Sequence, residues 1–121
     1  MSETLADRWH RVQQEIAQAC EKCGRDPEEV TTIVVTKFHP ASLVRELHAL
    51  GVRHVGENRH QDAAPKQLEV ADLDLTWHFV GQLQSNKARA VAAYCDVIHS
   101  VDRVSLVDAL AKYEGSVDVF L

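Results

Sequence analysis

The chain has 121 residues, 45% hydrophobic and 26% charged, a composition ordinary for a soluble globular protein and a length that can bury one core. Its net charge of −5 argues against a nucleic-acid or anionic-membrane surface, since either needs a basic footprint. No apolar run approaches the roughly 20 residues of a membrane span, and MSETLADRWH has no signal-peptide layout, so a cytoplasmic protein is expected.

From Leu5 to Cys23, apolar residues recur at Leu5, Trp9, Val12, Ile16, Ala19 and Cys23, which predicts an amphipathic helix with one buried stripe. Gly24 is placed to cap its C-terminus, and Asp26-Pro27-Glu28-Glu29 predicts a short helical turn. Three cysteines make no even disulfide framework. CEKC at Cys20 to Cys23 has the spacing of half a zinc site or a redox pair, but no second such pair follows, and the helical repeat explains both positions.

The stretch TTIVVTKFHP, Thr31 to Pro40, reads as a short strand buried on both faces, the pattern of a parallel sheet. Lys37 stands at its carboxyl end, the edge where α/β sheets place their ligands. Pro40 opens a helix carrying Leu43, Val44, Leu47 and Leu50, and Gly51 closes it. Val52 to Val55 is a brief second strand that runs into Gly56-Glu57-Asn58-Arg59. A helix over residues 59–70 should break or kink at Pro65.

Leu75 to Val80 is the third strand, and it ends in Gly81-Gln82-Leu83-Gln84. Ser85 is suited to cap a helix running to Tyr94. Asp96 to His99 is the fourth strand, and Asp102 is suited to cap a helix that Gly115 closes. Val117 to Leu121 is the fifth strand. Strands alternating with short helices imply repeated βα units and a parallel sheet, read as one domain over residues 1–121. Five units fall short of the eight that close a barrel of about 250 residues, so an incomplete barrel, a fragment of a longer product, is expected.

Three clusters have residues suited to chemistry. A lysine attacks an aldehyde only when its amine is partly neutral, which burial and neighbouring positive charge favour; His39 and Arg59 would contribute such a field at Lys37. The competing reading is a surface lysine just past a strand. In Gly56-Glu57-Asn58-Arg59 the glycine permits close backbone approach and Asn58 offers donor and acceptors, although a plain polar loop has the same composition. His78, in an otherwise apolar strand, is either a hydrogen-bonded core residue or a ligand, and Gln82, Gln84, Ser85, Asn86, Lys87 and Arg89 follow it in a dense polar run. The seven histidines show no metal spacing, and neither a dinucleotide fingerprint nor a P-loop is present.

IVVTKFHPAS, GVRHVGENRHQD, WHFVGQLQSNKAR and DVIHSVDR, in this order and spacing, resemble the N-terminal half of the pyridoxal phosphate homeostasis protein family. The resemblance covers essentially the whole chain. It implies a (β/α)8 TIM barrel of the alanine-racemase-like kind, with pyridoxal 5'-phosphate (PLP) held as a Schiff base on Lys37 and with Asn58 and His78 lining the cofactor's ring side. His39 replaces a basic residue of the family's lysine motif, and the family's phosphate-binding residues would come after Leu121. The implied function is PLP binding in the homeostasis of vitamin B6 and of amino and keto acids, without catalytic turnover. PLP-dependent apo-enzymes are the implied partners, and the full-length form is implied to be a monomer.

The alternative on the same fold is a PLP-dependent amino-acid racemase or decarboxylase, which would need a group opposite the lysine to move a proton. Tyr94 and Tyr113 fall on predicted helices and Cys95 at a helix end, none well placed for that role. A third reading is an interaction protein in which the lysine is incidental.

Overall fold

The computed structural model describes residues 3–120. The chain divides into two compact units, residues 1–32 and residues 33–121. In the first, α1 (Leu5–Cys23) begins at Thr4, whose hydroxyl accepts from the Asp7 amide while the Asp7 carboxylate accepts from the Thr4 amide, each at 3.1 Å. Gly24 ends the helix with φ +71°, the left-handed conformation expected of it. Asp26 caps a single 3-10 turn, Pro27–Glu29, by accepting from the Glu28 amide at 3.0 Å. The expected buried stripe is not formed. Cys20 alone is buried along α1, Leu5, Trp9 and Ile16 are half-buried, and Val12 and Cys23 are exposed. Within its own unit the helix has only one short turn to pack against, too little to cover an apolar stripe.

The second unit is a five-stranded parallel sheet in the order β1 (Val34–Val35), β2 (His54–Glu57), β3 (Thr76–Phe79), β4 (Val97–Ile98), β5 (Asp118–Val119). The connecting helices are α2 (Ala41–Ala49), α3 (His60–Glu69), α4 (Ala88–Ala92) and α5 (Val104–Ala111). Strands laid side by side in sequence order, each joined to the next through a helix of the same crossover hand, stack those helices on one sheet face. Val44 and Leu47 of α2, Ala63 of α3, Val91 of α4 and Leu106 of α5 are all buried, and so are Val55, Trp77, Phe79 and Ile98 of the strands. Side-chain alternation sends Val35, His54, Gly56, His78 and Val97 to the other face.

Several expectations change at the edges. β1 is not buried on both faces: Val35 is 44% exposed, because β1 is an edge strand paired only with β2 and Val35 points away from the helices. β5 is likewise an exposed edge, and Leu121 lies outside the described residues. α3 runs through Pro65 unbroken; proline there deprives only the Gln61 carbonyl of its partner, and Gln61 is exposed to water. Ser85 does not cap α4, which is preceded by a 3-10 turn, Ser85–Lys87; its hydroxyl instead bonds that of Ser105 at 3.1 Å. Asp102 does not cap α5, since its carboxylate accepts from Arg103 at 2.6 Å. That helix stops at Ala111, short of Gly115. No helix among the described residues is long and apolar enough to cross a membrane.

Candidate functional site

The carboxyl ends of β1, β2 and β3 build the candidate site. Val35 pairs with Gly56, and Lys37 follows two residues beyond the end of β1 while Asn58 follows directly on β2, at the carboxyl ends of adjacent strands. Lys37 occupies a tight turn in which the Thr36 carbonyl accepts from the His39 amide at 3.1 Å. Phe38, the next residue in that turn, has φ +67°, a conformation uncommon for a bulky side chain. Lys37 is exposed rather than enclosed, because the edge strand has no neighbour on its far side to cover it. Its ammonium lies 5.9 Å from the centre of the Phe38 ring, and no ion pair among the described residues involves it.

Asn58 is half-buried and its backbone is gripped from the next strand. A Cβ added at Gly81 would stand 2.7 Å from the Asn58 carbonyl oxygen and 2.9 Å from the Asn58 Cβ, so only glycine lets the two strand ends approach this closely. Gly81→Ala should therefore displace Asn58 and lower stability by about 1–3 kcal/mol, read as a fall in the urea midpoint at unchanged m-value. A cleft of about 240 Å³ opens beside these ends, lined by Asn58, Arg59, Phe79, Gln82, Gln84 and Lys87, so it uses part of the polar run after β3.

His78 sits lower, within β3, opposite Gly56. It is the middle of a chain of three imidazoles across three strands: His54 Nδ1 to His78 Nε2 is 3.0 Å, and His78 Nδ1 to His99 Nε2 is 3.0 Å. The His99 ring stacks on Phe120, with centroids 5.0 Å apart. With both ring nitrogens engaged, one as donor and one as acceptor, His78 is suited by the neutral imidazole. Burial first, and then the neighbouring His54 and His99, push its pKa down from 6.5 to about 4, with Asp96 pulling weakly the other way.

This depression makes stability pH-dependent. Between pH 6.5 and about 4 the unfolded chain binds a proton that folded His78 refuses, so its contribution is complete above pH 6.5 and is lost as pH falls towards 4. The loss should reach about 3 kcal/mol at most, measured as a falling urea midpoint between pH 7 and pH 4.5 that is blunted in His78→Gln.

The sheet's helical face holds a second constellation, which the sequence reading passed over. Glu57 is fully buried, and its Oε1 accepts from Lys66 Nζ of α3 at 2.9 Å while its other oxygen accepts from the Thr36 hydroxyl. Lys66, 7% exposed, also donates to the Thr36 carbonyl at 3.0 Å. A signal was present: Lys66 stands three residues after Ala63 and four before Val70, on the apolar stripe of α3, and Glu57 shares the inward parity of Val55.

The fold defines a parallel α/β protein of βα repeats, with a lysine at the strand carboxyl ends, the edge where such sheets place ligands. No family model matches the chain. It is 45% identical, over 90% of its length, to the pyridoxal phosphate homeostasis protein of Pseudomonas aeruginosa, and 39% identical over 88% to that of Escherichia coli K12. It covers 47% of each, so the chain spans about half the length of these curated relatives. Among solved structures, PipY of Synechococcus elongatus, determined with PLP bound, matches with a TM-score of 0.67 and 48% identity over 78% of this chain and 45% of PipY. A protein from Bifidobacterium adolescentis described as unknown matches with a TM-score of 0.77 and 26% identity over 94% of this chain and 58% of its own. The chain belongs to the pyridoxal phosphate homeostasis protein family.

Proposed function

We propose that the chain is part of a PLP-binding protein that holds the cofactor as a Schiff base on Lys37 and serves its homeostasis rather than turning over a substrate. The observation that carries this reading is the position of Lys37, just past the end of β1 and next to the strand that ends before Asn58, in a chain so similar to proteins named for PLP homeostasis. PipY, a solved relative, was determined with PLP bound. The residues present fit the group: an exposed primary amine outside any described ion pair, a half-buried amide just past the neighbouring strand, and a polar cleft lined by that amide. When bound, PLP supplies an aldehyde for the amine. Asn58 and His78, the latter held by its two imidazole neighbours, would line the cofactor's ring side.

Residues 1–121 are proposed as one domain, and within residues 33–121 a sheet whose helices all lie on one face, with strands in sequence order, supports reading the first part of a (β/α)8 barrel. The binding reading is favoured over the racemase or decarboxylase by two candidate bases, Tyr94 and Cys95, which stand between α4 and β4 at the amino end of that strand. Burial pushes the Cys95 thiol up to about 12 and raises the Tyr94 hydroxyl above its ordinary value, so both keep their protons at neutral pH. Delivery to PLP-dependent apo-enzymes, a monomeric full-length form and a cytoplasmic location complete the proposal. The test is the visible spectrum on adding PLP: an imine band that borohydride abolishes is expected, and a spectrum identical to free PLP overturns the reading.

A further inference from the structure

Lys66 bonds two things at once, the Glu57 carboxylate and the carbonyl of Thr36, the residue immediately before Lys37. That same carbonyl accepts the His39 amide that closes the turn over Lys37 and Phe38. Thr36 is held from its other end too, its amide donating to the Gly56 carbonyl at 2.9 Å and its hydroxyl to Glu57. A left-handed phenylalanine persists only where the surroundings over-determine it, and here the over-determined atoms are those of Thr36. Replacing a buried ion pair by apolar residues is often neutral or stabilising, so stability alone is a weak reason for burying one at this spot.

We propose that Glu57 and Lys66 are positioning residues for Lys37: the buried pair anchors the Thr36 carbonyl, and with it the turn from which Lys37 projects. The pair lies on the helical face of the sheet and touches neither the cleft edge nor Lys37 itself. The proposal rests on the cofactor reading at Lys37 for its purpose, but the anchoring can be measured without any cofactor.

The experiment compares the chain with the double variant Glu57→Leu/Lys66→Met, in which both charges leave together so that no lone ion remains buried. Two readouts are taken: hydrogen exchange of the His39 amide without ligand, and the rate at which PLP and borohydride label Lys37 relative to the exposed Lys22 and Lys112. With far-UV dichroism unchanged, His39 exchange should quicken about tenfold and Lys37 labelling should fall about fivefold, while Lys22 and Lys112 keep their rates. Should the double variant not fold, Glu57→Gln/Lys66→Met, which keeps an acceptor for the Thr36 hydroxyl and likewise leaves no lone ion, is read in the same way. A folded variant in which either the exchange or the selective labelling matches the parent overturns the proposal. If the parent itself never labels at Lys37, the cofactor reading falls, and His39 exchange alone upholds or overturns the anchor.

Discussion

Replacing Lys66 by methionine alone should lower the stability of the sheet unit by about 3–5 kcal/mol, because it leaves the Glu57 carboxylate fully buried without its counter-ion. Methionine is close in length and fills the space, so the loss is electrostatic rather than a cavity. Urea denaturation followed by far-UV dichroism would show the midpoint falling sharply, with much of it recovered in Glu57→Leu/Lys66→Met. That recovery separates an uncompensated charge from general misfit: an additive double variant would contradict this account of the pair.

The second large effect concerns the ligand. Lys37→Ala should remove the imine band wholly, while leaving the fold intact, because Lys37 is exposed and its ammonium is engaged in no described ion pair. Unlike Lys66, this lysine supports nothing beneath it. Residual PLP binding in the variant would have to come from non-covalent contacts at the strand ends, and should be weaker by about a hundredfold or more. An unchanged spectrum in Lys37→Ala at unchanged dichroism would support the third reading, in which the lysine is incidental.

Much of the architecture was written in local pattern. The β-branched run Thr32 to Val35, the apolar helical spacings of α1 and α2, and the glycines at 24 and 51 gave the alternation of strands and helices, because periodicity and turn chemistry are local properties. What failed was burial. Trp9 and Val35 have core-type side chains but are half-buried and exposed, because burial depends on which neighbours the tertiary fold supplies, and neither an edge strand nor a helix with one short turn in its own unit has enough of them. The caps expected of Ser85 and Asp102 failed for a related reason: each side chain found a different partner, one across the fold at Ser105 and one beside it at Arg103.

At the candidate site, Lys37 and Asn58 could be singled out because each follows the carboxyl end of a strand. The buried Glu57 and Lys66 could not be weighed from composition alone, since a charged residue on an apolar stripe becomes informative only when its partner is known. The same holds for His54 and His99, whose bond to His78 depends on strand register, a long-range property that no local window contains.

The most direct measurement is peptide mass mapping of the chain after incubation with PLP and reduction by borohydride. A pyridoxyl group confined to the peptide bearing Lys37 is the predicted result, and it would place the cofactor and its attachment at the end of β1 together. Label spread evenly over the exposed lysines, or none on that peptide, would contradict the central claim.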